Sequence, residues 1–350
     1  MKKILVVILT TFVIFSCSNN TTESTGEAPK SMISDYDKDY SELDAKARRI
    51  FKALPDIAIS ENNSVTDEKV ALGKMLYFDN RLSKDNTQSC NTCHNLNTFG
   101  VDNKAFSEGN DGGLGGRNSP TTLNAALHMA QFWDGREADV ESQAGGPILN
   151  PVEMAMPSEK AVIDRLSGIE DYVVTFAKAF PEDANPISYS NLKKAIGAFE
   201  RKLITKSPFD DYLSGNDNAL TGPEKDGLQT FMDVGCITCH SGVTVGGNMY
   251  QKFGLSVDYW EYTNSENIDL GRFDVTGEES DKYMFKVPSL LNIEKTGPYF
   301  HDGSVDDLAE AIKIMGVTEL NKELSESEIS AIVVFLSSMT GEVPNNLKNP

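Results

Sequence analysis

Two pentapeptides constrain this chain more than anything else in it: Cys90-Asn91-Thr92-Cys93-His94 and Cys236-Ile237-Thr238-Cys239-His240. Each is C-x-x-C-H, the attachment pattern of c-type haem, in which two thiols form thioethers to the vinyl groups and the adjoining imidazole takes the iron's proximal site. The chain has only four His, at 94, 128, 240 and 301, in 350 residues. By chance a His would follow a given C-x-x-C about once in 88, and both would do so roughly once in 8,000. A thioredoxin-like dithiol needs no following His and sits in a β-rich context that these stretches lack. A zinc site from the two pairs would leave both His unexplained, and a disulfide across two residues makes a tight, reducible ring. The residues therefore predict two covalently bound haem c groups.

The surroundings of the two motifs repeat. Thr66-Asp67-Glu68-Lys69 opens a segment with Leu72, Met75 and Leu76 on one helical face; Thr221-Gly222-Pro223-Glu224-Lys225 opens another with Leu228, Phe231 and Met232. A Thr cap, an acidic first turn and, in the second, an early Pro are helix-start signals. Helical periodicity recurs at 41–54, 158–166, 172–180, 190–203, 305–315 and 325–339, and strand signals are sparse. The expected fold is all-α: two cytochrome c-like haem domains with long loops, residues 41–205 and 206–345. A length of 350 residues suits two cores of this size.

The first 16 residues read as an export signal: Lys2 and Lys3, then the apolar run 4–15, too short to span a membrane. Cys17 follows a small residue, the place where a lipoprotein signal is cleaved and its new terminal Cys acylated. Residues 17–40 are then a lipid anchor and a polar tether, with the folded part in the periplasm. The formal net charge is -20, from 32 Lys and Arg against 52 Asp and Glu. Nucleic acid is excluded as a partner, since its binding draws on Lys and Arg neutralising phosphates; a basic or dipolar docking partner fits.

With these residues in view, the chain resembles the bacterial dihaem cytochrome c peroxidases, across roughly residues 50–340. The resemblance extends beyond the haem motifs to Gly116-Arg117-Asn118-Ser119-Pro120-Thr121, Gln131-Phe132-Trp133-Asp134-Gly135-Arg136, Gly146-Pro147 and Pro151-Val152-Glu153-Met154. After the second motif come Phe285-Lys286-Val287-Pro288-Ser289-Leu290 and Thr296-Gly297-Pro298-Tyr299-Phe300-His301-Asp302-Gly303. It implies reduction of hydrogen peroxide to water, with electrons from a small cytochrome c or a cupredoxin entering at the C-terminal haem and passing to the N-terminal one. The N-terminal haem, on Cys90, Cys93 and His94, would be peroxidatic, with Glu153 as proton shuttle and Gln143 as its hydrogen-bonding neighbour. The C-terminal haem, on Cys236, Cys239 and His240, would take Met315 as sixth ligand, a thioether that raises the potential. Trp133 would lie between the haems and assist electron transfer. Arg117 and Arg136 would grip propionates. A calcium ion would be held by the side chain of Asn118 and the carbonyls of Thr296 and Pro298. A homodimer is left open by the residues.

The chain departs from that pattern in two places. The loop 107–116, which in many relatives carries a His capping the peroxidatic iron, contains no His here and has Asn110 at that position. Asn is a poor haem ligand, so the peroxidatic iron is expected to be five-coordinate or water-bound without prior reduction. Leu291 stands where relatives often carry Arg. His128 is read as a packing residue and His301 as a structural hydrogen bonder. Other assignments for such a chain are a dihaem oxidase of a protein side chain or organic molecule, which Met315 disfavours because that branch uses Tyr there, and a non-enzymatic electron carrier, which would need no distal acid.

Overall fold

The computed structural model describes residues 38–263, 265 and 267–350; the expected signal and Cys17 lie outside these residues. Among the described residues thirteen α-helices carry the fold: α1 Ser41–Ile50, α2 Asp67–Tyr77, α3 Cys90–Cys93, α4 Val140–Leu149, α5 Glu159–Ser167, α6 Glu170–Ala179, α7 Tyr189–Glu200, α8 Pro208–Leu213, α9 Gly222–Val234, α10 Trp260–Thr263, α11 Phe273–Thr276, α12 Leu308–Leu320 and α13 Glu326–Ser337. The one sheet among the described residues is an antiparallel pair, β1 Tyr250–Lys252 and β2 Met284–Lys286, with Tyr250 opposite Lys286. The mainly helical expectation holds.

Each motif is preceded by a helix that its own cap starts. The Thr66 hydroxyl accepts from Lys69 N, and Thr221 forms a reciprocal capping box with Glu224, satisfying donors that a helix start leaves open. Each of these helices then lies against a partner at a glycine. A Cβ on Gly73 of α2 would come within 1.9 Å of the Ala195 carbonyl on α7, and one on Gly227 of α9 within 2.1 Å of the Ala331 carbonyl on α13. Only hydrogen at those positions lets the paired backbones touch.

Two cores result. Leu72, Leu76, Ile148, Leu166, Phe176, Leu192 and Ile196 fill the α2–α4–α5–α6–α7 group. Phe209, Leu228, Phe231, Ile332, Phe335 and Met339 fill the α8–α9–α13 group. Two segments pack across the expected 205/206 border. Helix α1 buries Leu43, Ala47 and Phe51 in the second core, where Asp44 accepts from Tyr212 Oη at 2.7 Å and pairs with Lys225 at 3.2 Å. Conversely, Val343 and Leu347 near the C-terminus pack with Tyr77 and Phe199 of the first half. The chain ends thus clasp opposite halves.

Helix boundaries differ from the sequence expectation in explicable ways. Helix α1 stops at Ile50, with Phe51 extended. Helix α12 begins only after Asp307, whose side chain accepts from Glu310 N, and runs to Leu320, so Met315 sits inside it rather than at its end. Helix α4 was not expected, because Gly145, Gly146 and Pro147 lie within it and all three disfavour helix interiors.

Candidate functional site

At the first motif, His94 N donates to Cys90 O (2.9 Å), so the four residues wind into α3 and turn the imidazole inward. Tyr77, the last residue of α2, donates from its phenol to His94 O at 2.7 Å and shares a 3.0 Å bond with Thr122. Burial holds the imidazole below its ordinary pKa, neutral, as an iron ligand must be. The backbone of Gly100 and Pro120 faces the ring, yet Nδ1 is buried with no hydrogen bond of full geometry.

The second motif follows the left-handed Gly235 that ends α9. His240 N donates to Cys236 O (3.0 Å), and Nδ1 lies 3.3 Å from Val245 O, which leaves Nε2 for a metal. Burial pushes this imidazole down to about 4 and the Cys236 thiol up to about 12. A cavity of about 240 Å³ is lined by Cys236, Cys239, His240 and, from α12, Met315. The four thiols are free, none bridged to another. Paired thiols beside a buried neutral imidazole, with a thioether across an apolar cavity, suit a covalently held haem at the second motif; the first presents the same thiol and imidazole set.

Pseudosymmetry relates the two sites in a detail the sequence reading passed over. Pro120-Thr121-Thr122-Leu123-Asn124 recurs as Pro288-Ser289-Leu290-Leu291-Asn292. Pro120 faces His94 and Pro288 faces His240. Asn124 and Asn292 both take left-handed backbone (φ 61° and 59°). Their amides donate to one hydroxyl, that of fully buried Thr205, at 2.8 and 2.9 Å. The repeated Pro-x-x-Leu-Asn, 168 residues apart, was the signal. Leu291, matching Leu123, is core rather than a charge site.

The other expected residues fall as follows. Glu153 is mostly buried on the turn after α4. Its Oε1 accepts from Asn150 Nδ2 at 2.7 Å, and burial raises its pKa against the pull of that bond and of Arg136. It lies within electrostatic reach of both Cys90 and Cys93. Gln143 is half-buried on α4 of the same half. Trp133 borders the second cavity, its Nε1 donating to Asn118 O at 2.9 Å.

Asn118, Thr296 and Pro298 also border that cavity; Asn118 Nδ2 donates to Lys104 O at 2.9 Å. Among the described residues no cluster of three or more His, Cys, Asp or Glu is poised for a metal ion, so the oxygens that this set could offer a cation are those of an amide and of backbone carbonyls.

Arg117 and Arg136 do not line the cavity. Arg117 grips Asp269 through Nε and Nη2 (2.6 and 2.8 Å) and also binds Asp134; Arg136 reaches Asp134 at 2.8 Å and lies over the Phe132 ring. His301 is 2% exposed, stacked on Phe285 at 4.3 Å. Its Nε2 has no hydrogen bond and lies 3.9 Å from Asp269, so packing rather than the expected hydrogen bonding holds that nitrogen. His128 lines the C-terminal cavity.

Loop 107–116 docks on the Glu153 turn. Gly109 packs so closely that a Cβ would sit 1.8 Å from Val152 O, and Asn110 N donates to Glu153 O at 2.6 Å. The Asn110 side chain bonds Asp111 (3.1 Å) and accepts from Asp85 N (3.3 Å).

Comparison with known proteins agrees. The di-haem cytochrome c peroxidase family profile matches residues 67–218. The cytochrome c551 peroxidase of Pseudomonas aeruginosa is 44% identical, over 86% of this chain and 87% of its own. The chain belongs to this family. The cytochrome c551 peroxidase of Nitrosomonas europaea is likewise 44% identical, over 83% of this chain and 84% of the relative. In fold, the di-haem chain matches a crystal structure of a MauG-like protein associated with microbial copper homeostasis, with TM-score 0.75 and 28% identity, covering 85% of this chain and 97% of that one.

Proposed function

We propose that the chain is a peroxidase that reduces hydrogen peroxide to two waters, consuming two electrons and two protons. The observation that supports this reading is an asymmetry between the two motifs: the Met315 thioether lines the cavity of the second, whereas the mostly buried Glu153 carboxyl lies within electrostatic reach of the thiols of the first. When bound, each haem would supply an iron that exchanges one electron, and the one at His94 an open position for peroxide. The chain's own residues do the rest. His94 and His240, kept neutral by burial, would hold the irons, and Met315, which lines the same cavity as His240, would be a further ligand to the second. Glu153 takes the proton from the near peroxide oxygen and returns it to the departing one. Burial raises its pKa above that of a free carboxyl, which favours its holding and releasing a proton. Gln143 orients peroxide beside it. Trp133 borders the cavity of the donor-side haem and relays charge toward the first.

Asn110 is tied to Asp85 and Asp111, so the peroxidatic position stays open without reduction of the other haem. Asn118, through its side-chain oxygen, and the carbonyls of Thr296 and Pro298 would hold a calcium ion beside the second cavity. The donor is a small cytochrome c or cupredoxin with a basic face, drawn by the charge of -20. Its rate falls as salt rises. Periplasmic placement on a lipidated Cys17 belongs to the same reading; no helix among the described residues is long and apolar enough to cross a membrane.

Stopped-flow mixing of oxidised and half-reduced holoprotein with peroxide tests the function. Rapid spectral change and storage of oxidising equivalents support it. Inertness in every redox state makes the chain an electron carrier instead.

A further inference from the structure

The C-terminal cavity holds a cation that the reading above leaves unused. Lys286, at the end of β2, is 6% exposed and lines the cavity with Cys239, His240 and Met315. Its ammonium has one polar neighbour, His128 Nδ1, at 3.2 Å. Asp134 acts on it only from farther away, and desolvation pushes its pKa down to about 8. An ammonium has only protons to give, so His128 Nδ1 must be the acceptor. The imidazole proton then sits on Nε2, which is buried and has no partner. The His128 Nε2 proton therefore has no acceptor, and the ammonium has a neutral nitrogen for its one hydrogen-bond partner and no carboxylate in ion-pair contact. A buried charge without a counter-charge is costly, and an anion is the group that relieves it. The guanidinium groups that would compete are committed elsewhere, Arg117 to Asp269 and Asp134, and Arg136 to Asp134.

We propose that Lys286 and His128 form the seat for one propionate of the haem attached at Cys236, Cys239 and His240. The inference rests on the two-haem reading and adds the residues that fix the acid edge of that haem. The seat also couples its charge to the inter-site region, since Lys286 N donates to Trp133 O at 2.8 Å.

The test uses the holoprotein, half-reduced so that only the Met-ligated haem is ferrous. Haem content is measured first: fewer than two haems per chain would defeat the two-haem reading itself. With two haems present, Lys286→Met should shift the propionate bending band in the resonance Raman spectrum. At pH 8 it should lower the ferric-to-ferrous equilibrium constant of that haem about tenfold, or about 59 mV for one electron. Lys286→Arg should preserve both, and His128→Asn should shift the band while keeping the Met-ligated spectrum. Arg136→Gln should leave band and potential in place. If Lys286→Met fails to mature, the other variants decide: a shifted band in His128→Asn with a preserved band in Lys286→Arg supports the seat, and an unshifted band in His128→Asn, or a shift in Arg136→Gln as large as that of His128→Asn, overturns it.

Discussion

Replacing Glu153 by Gln should separate chemistry from structure at the first site. Glu153 Oε1 accepts a 2.7 Å bond from Asn150, and a glutamine carbonyl can accept the same bond with the same shape. What is lost is a carboxyl that can take up and release a proton and whose pKa burial raises. General acid–base catalysis by a positioned side chain is worth about 10²–10⁴-fold. At about 1.36 kcal/mol per decade, that is about 2.7–5.4 kcal/mol of barrier. Stability should be unchanged or slightly raised, because a buried ionisable group becomes a neutral amide. The assay is stopped-flow reaction of peroxide with electron-loaded Glu153→Gln and wild-type protein, matched for haem content. The wild-type acid limb should lie above the usual carboxylate value of about 4.3 and vanish in the variant. A variant within threefold of wild type, with its pH profile intact, would refute the assignment.

Three further outcomes follow from the packing. Met315→His should keep the second haem six-coordinate but lower its reduction equilibrium at least tenfold, about 59 mV; an unchanged potential in a redox titration would make Met315 a packing residue. Thr205→Val removes the acceptor shared by the Asn124 and Asn292 amides. It should cost about 1–3 kcal/mol for each orphaned donor, read by chemical denaturation, with Thr205→Ser near wild type. Glu200 is fully buried, and desolvation, aided by Glu141, pushes its pKa up to about 8. The folded chain keeps a proton that the unfolded chain releases above about 4.3, so stability should fall as pH rises from there toward 8, by up to about 1.4 kcal/mol per pH unit. Glu200→Gln should flatten that slope in denaturation curves taken at pH 5 and pH 8.

What the sequence made legible was local chemistry. C-x-x-C-H announces itself because thioether attachment demands those residues at that spacing, and the Thr66 and Thr221 caps announce helices because the hydroxyl must sit three residues before the amide it receives. Long-range packing was hidden. Nothing in Leu43, Ala47 or Phe51 says that they enter the core of the second half, nor in Val343 and Leu347 that they enter the first, because an apolar face does not name its partner. The repeat Pro-x-x-Leu-Asn was visible, but its meaning lies in two amides meeting on Thr205, a residue outside both copies. Arg117 and Arg136 were expected to grip propionates, from the family resemblance and the fork of a guanidinium. Their commitment to Asp134 and Asp269 became readable only once residues far apart in the chain were brought together, as did the buried pairing of Lys286 with His128.

The most direct measurement is electron paramagnetic resonance of the fully oxidised holoprotein, with and without cyanide. One iron should be high-spin ferric and turn low-spin when cyanide binds, while the other is low-spin with histidine–methionine ligation and ignores it. Two low-spin irons, both indifferent to cyanide, would contradict the account.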